Sequence, residues 1–278
     1  MILIQQCLVE FKKHLISLEC SQHTVDKYLR DIRRLAEIVG NELSQMEQLL
    51  SFKQELHKRG YAVRSINSIL SAVNHFTRVF GHPEWKLRFL KVQRSTFANG
   101  QKEIARRDYE RLVKTAEERG DERLSLLLQT LCATGIRVSE LRAITVESLR
   151  TGMVEIYSKA KIRVILIPRS LCVKLQAYCA SRRIGAGCVF ITRKGKPLDR
   201  SSIWKQMKRL SKQAKVTAGK VFPHNLRHLF ARCFYQRYKD IVRLADILGH
   251  SSMDTTRIYT IQSSLSERRR LEQLGLVT

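Results

Sequence analysis

Apolar residues recur every three or four positions through most of this chain, and that spacing confines it to a largely helical fold. Ile4, Leu8, Phe11, Leu15 and Leu18 make the first stripe. Ser21 then offers a side-chain oxygen at a helix start, and Thr24, Val25, Tyr28, Ile32 and Leu35 follow as the second, ending at Gly40-Asn41. Leu49 to His57 predicts a third helix, closed by Lys58-Arg59-Gly60. Val63 to Phe80 predicts a fourth, with Ile66, Ile69, Leu70, Val73 and Phe76 inward and Gly81-His82-Pro83 as its stop. Residues 1–90 are therefore expected to form a small bundle of about four helices. Helical periodicity is lost between Leu87 and Lys102, a polar, basic stretch holding Asn99-Gly100, so a linker is expected over 91–103 and a second domain over 104–278.

The second domain is also expected to be mainly helical, with one small antiparallel β element. Helices are predicted over Arg107 to Arg119, Leu124 to Cys132, Leu171 to Ser181 and Ser201 to Ala214. Gly135 suits a helix C-cap, and Val138 to Ile144 starts another helix, which places Arg137 where backbone amides favour an anion. Met153 to Pro168 carries β-branched residues around a short polar centre and predicts a β-hairpin with Lys159 and Lys161 at its tip. Val189 to Thr192 is a further short apolar run before the turn at Lys194-Gly195-Lys196-Pro197.

Charge restricts the partner. Lys and Arg number 51 against 25 Asp and Glu, a net +26 spread along the whole chain. A charge that large self-repels unless a polyanion neutralises it, so nucleic acid is the expected partner, with affinity falling steeply with salt. The basic residues occupy many helices instead of one amphipathic segment, and no apolar run nears the roughly 18 residues a membrane span needs, so no membrane partner is expected. The N-terminus has neither a basic leader nor a cleavage site, and the seven cysteines are scattered without C-x-x-C spacing. A reducing, cytoplasmic setting with neither zinc nor disulfides is expected.

The chemistry concentrates between Phe222 and Thr260. Pro223 suits a helix start, with Leu226, Phe230, Cys233 and Phe234 down one face and His224 and Arg227 on another at i, i+3. Ile241, Leu244, Ala245 and Leu248 make the next helix, Gly249 ends it, and His250 follows at once. Ser252 suits the N-cap of a short helix holding Thr256 and Tyr259. Each residue has an ordinary structural reading: a loop histidine caps a helix, a helical tyrosine packs in the core, and Arg137 beside Glu140 is a surface ion pair. Taken together, cations, histidines and a tyrosine are what holding and attacking a phosphodiester requires.

In their order, A-T-G-I-R-V-S-E-L around Arg137, the hairpin S-K-A-K-I-R, H-N-L-R-H from His224, L-G-H-S-S at His250 and T-T-R-I-Y-T at Tyr259 resemble the tyrosine recombinase (phage integrase) family. The pattern Ser21, Thr24, Tyr28 is similar to that family's N-terminal core-binding domain, and with no arm-binding domain before it the chain resembles a short Xer-type or simple transposon-type enzyme. The resemblance implies a SAM-like four-helix core-binding bundle followed by a catalytic domain, together the tyrosine recombinase fold. It implies site-specific recombination of double-stranded DNA at inverted-repeat core sites through a 3′-phosphotyrosine intermediate. It further implies a homo-tetramer on synapsed DNA from a protein that is monomeric or weakly associated when free, a nucleoid-associated location, and no cofactor, metal or ATP.

By the same resemblance Tyr259 is the nucleophile, Arg137 and Arg227 grip the non-bridging oxygens, His224 is the general base, His250 donates to the phosphate and Glu140 steadies Arg137. Lys159 or Lys161 is the general acid; the family usually has glycine around this lysine, and this tip is short. Two other functions compete: a type IB topoisomerase, which shares the chemistry, and a catalytically silent DNA-binding accessory protein. The segment after Tyr259, with Leu265, Leu271, Leu274 and Leu276 as anchors, is expected to dock on a neighbouring protomer. Truncation after Ser264 should then weaken synapsis in a gel-shift assay while leaving single-site binding intact; unchanged recombination would refute the docking role.

Overall fold

The chain divides into two units, Met1–Arg94 and Ser95–Thr278, each with its own main hydrophobic core, and the second also holds a smaller cluster of Ala231, Leu244, Leu248 and Tyr259. The structure, a computed structural model, describes residues 1–91, 103–158, 161–250, 252–259 and 272–273. Lys159, most of the expected linker, and the tail residues Leu265, Leu271, Leu274 and Leu276 lie outside the described residues.

The first unit runs β1 (Ile2–Leu3), α1 (Ile4–Ser17), α2 (Gln22–Val39), β2 (Glu42–Leu43), α3 (Met46–Lys58) and α4 (Val63–Val79). The predicted stripes converge as expected: Phe11, Leu15, Ile32, Leu35, Phe52, Leu56, Ile66, Leu70 and Phe76 are all buried, each stabilising by roughly 1.5–3 kcal/mol. Phe11 meets Phe76 edge-on, with centroids 5.1 Å apart. The Ser21 hydroxyl accepts from the Thr24 amide at 3.3 Å, which starts α2. Leu18 departs from its stripe and is exposed, because α1 has already ended at Ser17. The β1–β2 ribbon pairs Ile2 with Leu43 and Leu3 with Glu42; two residues a side leave no alternation for a sequence to display.

Part of the aperiodic stretch belongs to this unit. Leu87 is buried in its core. Asn74 donates to the Leu87 carbonyl at 2.9 Å and accepts from the Leu87 amide at 2.8 Å. Asn67, two turns earlier on α4, does the same for Leu90 at 2.9 and 2.8 Å. Two side-chain amides thus replace a neighbouring strand, satisfying backbone groups that would otherwise be desolvated without partners.

The second unit runs α5 (Arg106–Glu118), α6 (Glu122–Thr134), a 3₁₀ turn (Val138–Ala143), α7 (Val146–Thr151), β3 (Met153–Ser158), β4 (Lys161–Leu166), α8 (Arg169–Ser181), α9 (Arg200–Gln213), a 3₁₀ turn (Ala218–Lys220), α10 (Pro223–Tyr238), α11 (Ile241–Leu248) and α12 (Met253–Arg257). Leu124, Leu127, Leu128 and Leu131 make α6 the centre, with α5, α8 and α10 packed on it. The hairpin pairs Met153 with Leu166 through to Ser158 with Lys161. Val154, Ile156 and Ile165 face the core, while Met153, Tyr157, Ile162, Val164 and Leu166 are exposed.

Three expectations are corrected. Val138–Ala143 is 3₁₀, since the chain must turn before α7. Around the apolar run Val189 to Thr192, isolated bridges join Thr145 to Cys188 and Ile191 to Pro197. α10 buries Leu226, Arg227, Leu229 and Ala231, and Cys233 is exposed, because α6 and α11 cover this helix from different directions and blur its periodicity. α12 ends at Arg257, so Tyr259 stands in the turn beyond it.

Asn74→Ala leaves two backbone groups of Leu87 unpaired and should cost about 1–3 kcal/mol in denaturant unfolding; an unchanged midpoint would show that the clamp contributes nothing.

Candidate active site

Two helix ends and a hairpin define the site. α6 ends at Gly135 and α11 at Gly249, both with left-handed backbones (φ 63° and 61°) that glycine adopts without strain. Neither position has room for a side chain. A Cβ on Gly135 would lie 2.6 Å from the Phe230 ring, and one on Gly249 would lie 2.5 Å from Arg163 Cδ. The last carbonyls of a helix lack intrahelical partners and carry its negative dipole end. Here they point at arginines.

Arg227 is 1% exposed, a charge taken almost wholly out of water. Its Nη1 donates to the Gly135 carbonyl at 2.5 Å and its Nη2 to the Leu248 carbonyl at 2.5 Å. Burial, then the charges of Arg137 and Arg163, pull its pKa down to about 10, which leaves it cationic at neutral pH. Arg137, at the start of the 3₁₀ turn, donates from Nη1 to Glu140 Oε1 at 3.0 Å and from Nη2 to the Gly249 carbonyl at 3.1 Å. Its side chain is 39% exposed, so free donors face solvent. Glu140 Oε2 accepts from the Arg137 amide at 2.9 Å and also from Arg163 Nη2.

His250 closes the group. Its Nε2 lies 3.2 Å from Arg227 Nη2 and its Nδ1 lies 2.9 Å from Thr256 Oγ1. A guanidinium can only donate, so Nε2 accepts and these partners assign the proton to Nδ1. Burial and the neighbouring Arg227 and Arg137 hold its pKa down to about 4. The same arginines add to burial in lowering His224.

Tyr259 is 6% exposed, packed among Ala231, Leu244 and Leu248. Its ring meets His228 edge-on at 5.1 Å and stacks beside His250 at 6.4 Å. His224 in turn lies 4.4 Å from His228, centroid to centroid. Burial raises the Tyr259 pKa, and Arg227 and Arg137 only partly offset this, so the phenol keeps its proton at neutral pH. His228 is held down to about 4 by burial and by His224.

Arg163, which donates to Glu140 and to the Leu248 carbonyl that Arg227 also uses, joins the Arg137–Glu140 and Arg227–His250 pairs into one bonded network, with Tyr259 and, through His228, His224 linked to it by ring contacts. Lys159 lies outside the described residues, and of Lys161 only its place as the first residue of β4 is described. Two residues escaped sequence reasoning. His228 sits one position after Arg227, at the end of the H-N-L-R-H motif, where no role was assigned to it. Arg163 stands opposite Ile156 in the hairpin register, on the face that buries Val154 and Ile165, so strict alternation along the strand is the signal that would have marked it as an inward-facing charge. Arg137, Glu140, Arg163 and His250 also line an open cleft of about 1690 Å³ with Ile162, Val164, Phe230 and Phe234. Among the described residues no cluster of three His, Cys, Asp or Glu side chains is arranged to hold a metal, and no helix is long and apolar enough to cross a membrane.

The phage integrase family matches residues 102–264, and the phage integrase N-terminal SAM-like domain matches residues 8–80. This chain belongs to the phage integrase family of tyrosine recombinases. Tyrosine recombinase XerA of Thermococcus kodakarensis is 31% identical over 282 residues, 98% of this chain and 96% of its own. Tyrosine recombinase XerC of Pseudomonas entomophila is 28% identical over 260 residues, 87% of this chain and 86% of its own. Among solved structures, XerH site-specific recombinase bound to difH substrate superposes with a TM-score of 0.71 at 20% identity, covering 93% of this chain and 80% of that one. A lambda integrase dimer bound to a COC′ core site gives 0.73 at 18% identity, covering 92% and 94%. These last two likenesses establish the shared fold. Site-specific DNA recombination is the activity that goes with the family, and neither the topoisomerase nor the silent binding protein is favoured.

Histidines held below their ordinary pKa of 6.5 bind protons more readily once unfolded, so stability is complete above about pH 6.5 and is lost as pH falls toward about 4. His228→Asn should flatten that fall in melting temperature; an identical pH slope in parent and variant would rule out His228 as a contributor.

Proposed function

We propose that this site cleaves and rejoins DNA through Tyr259, with Arg137 and Arg227 gripping the scissile phosphate. The Tyr259 oxygen attacks phosphorus and the bond to the 5′-oxygen breaks. The phenolic proton passes to a histidine, and the departing 5′-oxygen takes a proton from the hairpin lysine, Lys159 or Lys161. The product is a 3′-phosphotyrosine and a free 5′-hydroxyl. The ester keeps the energy of the broken phosphodiester, so rejoining draws on neither ATP nor a metal. What carries the reading is the convergence of two arginines and a histidine on the ends of α6 and α11, with a tyrosine packed beside them.

The electrostatics agree with it. Arg137, Arg163 and Arg227 outnumber Glu140, so the network keeps an unmet demand for an anion. Guanidinium forks match the equatorial oxygens of a phosphorane, whose charge exceeds that of the starting diester. His250 enters as a donor once a phosphate engages the arginine: Arg227 turns Nη2 to the phosphate, Nε2 takes the proton, and the Thr256 hydroxyl donates to Nδ1. His224 serves as general base with His228 between it and Tyr259, so a hand-over through His228, or an outward swing of Tyr259, precedes attack. Glu140 steadies Arg137. The DNA partner is a duplex with inverted-repeat core sites, on which four copies assemble from a protein that is monomeric or weakly associated when free, in the nucleoid of the cytoplasm.

Tyr259→Phe should bind core-site DNA as the parent does and give no covalent adduct on a nicked suicide substrate, read as a shifted band on a denaturing gel. An adduct from that variant would falsify the assignment of the nucleophile.

A further inference from the structure

Arg163 ties together the two halves of the phosphate grip without taking part in it. We propose that it is a positioning residue for cleavage, setting the separation of Arg137 and Arg227 by clamping Glu140 to the C-terminal end of α11. This rests on the reading of Arg137 and Arg227 as the pair that holds the scissile phosphate.

The bonding runs through both arms. Arg163 Nη2 donates to Glu140 Oε2, while Glu140 Oε1 takes Arg137 Nη1 at 3.0 Å. Arg163 Nη1 donates to the Leu248 carbonyl and reaches the Ile247 carbonyl at 3.3 Å, and Leu248 is the acceptor that Arg227 Nη2 uses at 2.5 Å. One guanidinium therefore fixes the carboxylate behind one gripping arginine and the carbonyl beneath the other. Gly249 lacks a Cβ where Arg163 crosses it, so the loop holding His250 is shaped around this side chain. The side chain is 13% exposed and its Nε is buried without a partner. Such an orphan donor is costly, and it marks a geometry imposed by the other contacts of the group. With both Nη atoms engaged inside the protein, Arg163 supports the grip instead of joining it.

A surface ion pair would contribute little here and would have no catalytic signature. A positioning role has one. Replacing a non-bridging oxygen of the scissile phosphate with methyl removes the charge that the arginine pair must hold, so defects of the grip shrink on a methylphosphonate substrate. Defects of folding do not.

The experiment is single-turnover cleavage of nicked suicide DNA bearing either linkage, with DNA affinity and thermal unfolding measured alongside. Arg163→Met should slow cleavage of the phosphodiester on the order of 10²-fold, bind DNA within roughly threefold of the parent, and lose at most about tenfold on the methylphosphonate. Arg163→Lys, which can reach Glu140 or Leu248 but not both, should fall between. Equal losses on the two substrates, or a loss below about threefold, would overturn the proposal. So would a failure of both variants to fold, since the role would then be structural. Arg137→Ala and Arg227→Ala should show the same shrinkage. If those two cleave normally, the grip itself is misread; if they are impaired and Arg163→Met is normal, only the present inference falls.

Discussion

A fully buried arginine, Arg227, with no carboxylate in direct contact among the described residues, is the constraint on which the second unit turns. Removing a guanidinium from water costs several kcal/mol unless its donors find partners. Arg227 finds them on the carbonyls of Gly135 and Leu248, at the C-terminal ends of α6 and α11. These carbonyls are themselves orphaned by helix geometry, so each group cures the other's deficit. The arrangement fixes where two helices end relative to one another. It also leaves the positive charge of Arg227 resting on neutral carbonyls.

The remaining groups follow from that choice. Arg137 takes the next carbonyl, Gly249, and Glu140 holds Arg137 at the turn from which it projects. Burial first, and then the neighbouring positive charges, keep His224, His228 and His250 neutral near pH 7. A neutral histidine can accept a proton from a tyrosine; a cationic one cannot. Burial works the other way on Tyr259, holding its proton in place while the ring lies against His228. Neutral histidines and a buried, protonated tyrosine thus lie side by side in one structure.

Much of this was legible beforehand. Arg137, Glu140, Arg227 and His250 were expected together from motif order, and they lie together, the Arg137–Glu140 pair and the Arg227–His250 pair joined through Arg163 and the Leu248 carbonyl. The bundle stripes of α1 to α4 were visible because each helix has one wet side. α10 defeated the same logic, since α6 and α11 cover it from different directions and its burial no longer follows one face. Leu87 and Leu90 were hidden for another reason: their partners are side-chain amides seven residues apart on α4, and an extended segment held that way has no periodicity of its own.

The sequence by itself determined the residue chemistry and the local geometry. It set which positions could be helical, where glycine had to end α6 and α11, and which cations and histidines lay near a tyrosine. Only the tertiary structure decided that the Gly135, Leu248 and Gly249 carbonyls would be the shared acceptors, that Arg163 would join Glu140 to α11, and that His228 would stand between His224 and Tyr259. The physical reason is that a backbone carbonyl has no side-chain identity. Every residue has one, and its value as a partner comes from where the fold leaves it unpaired.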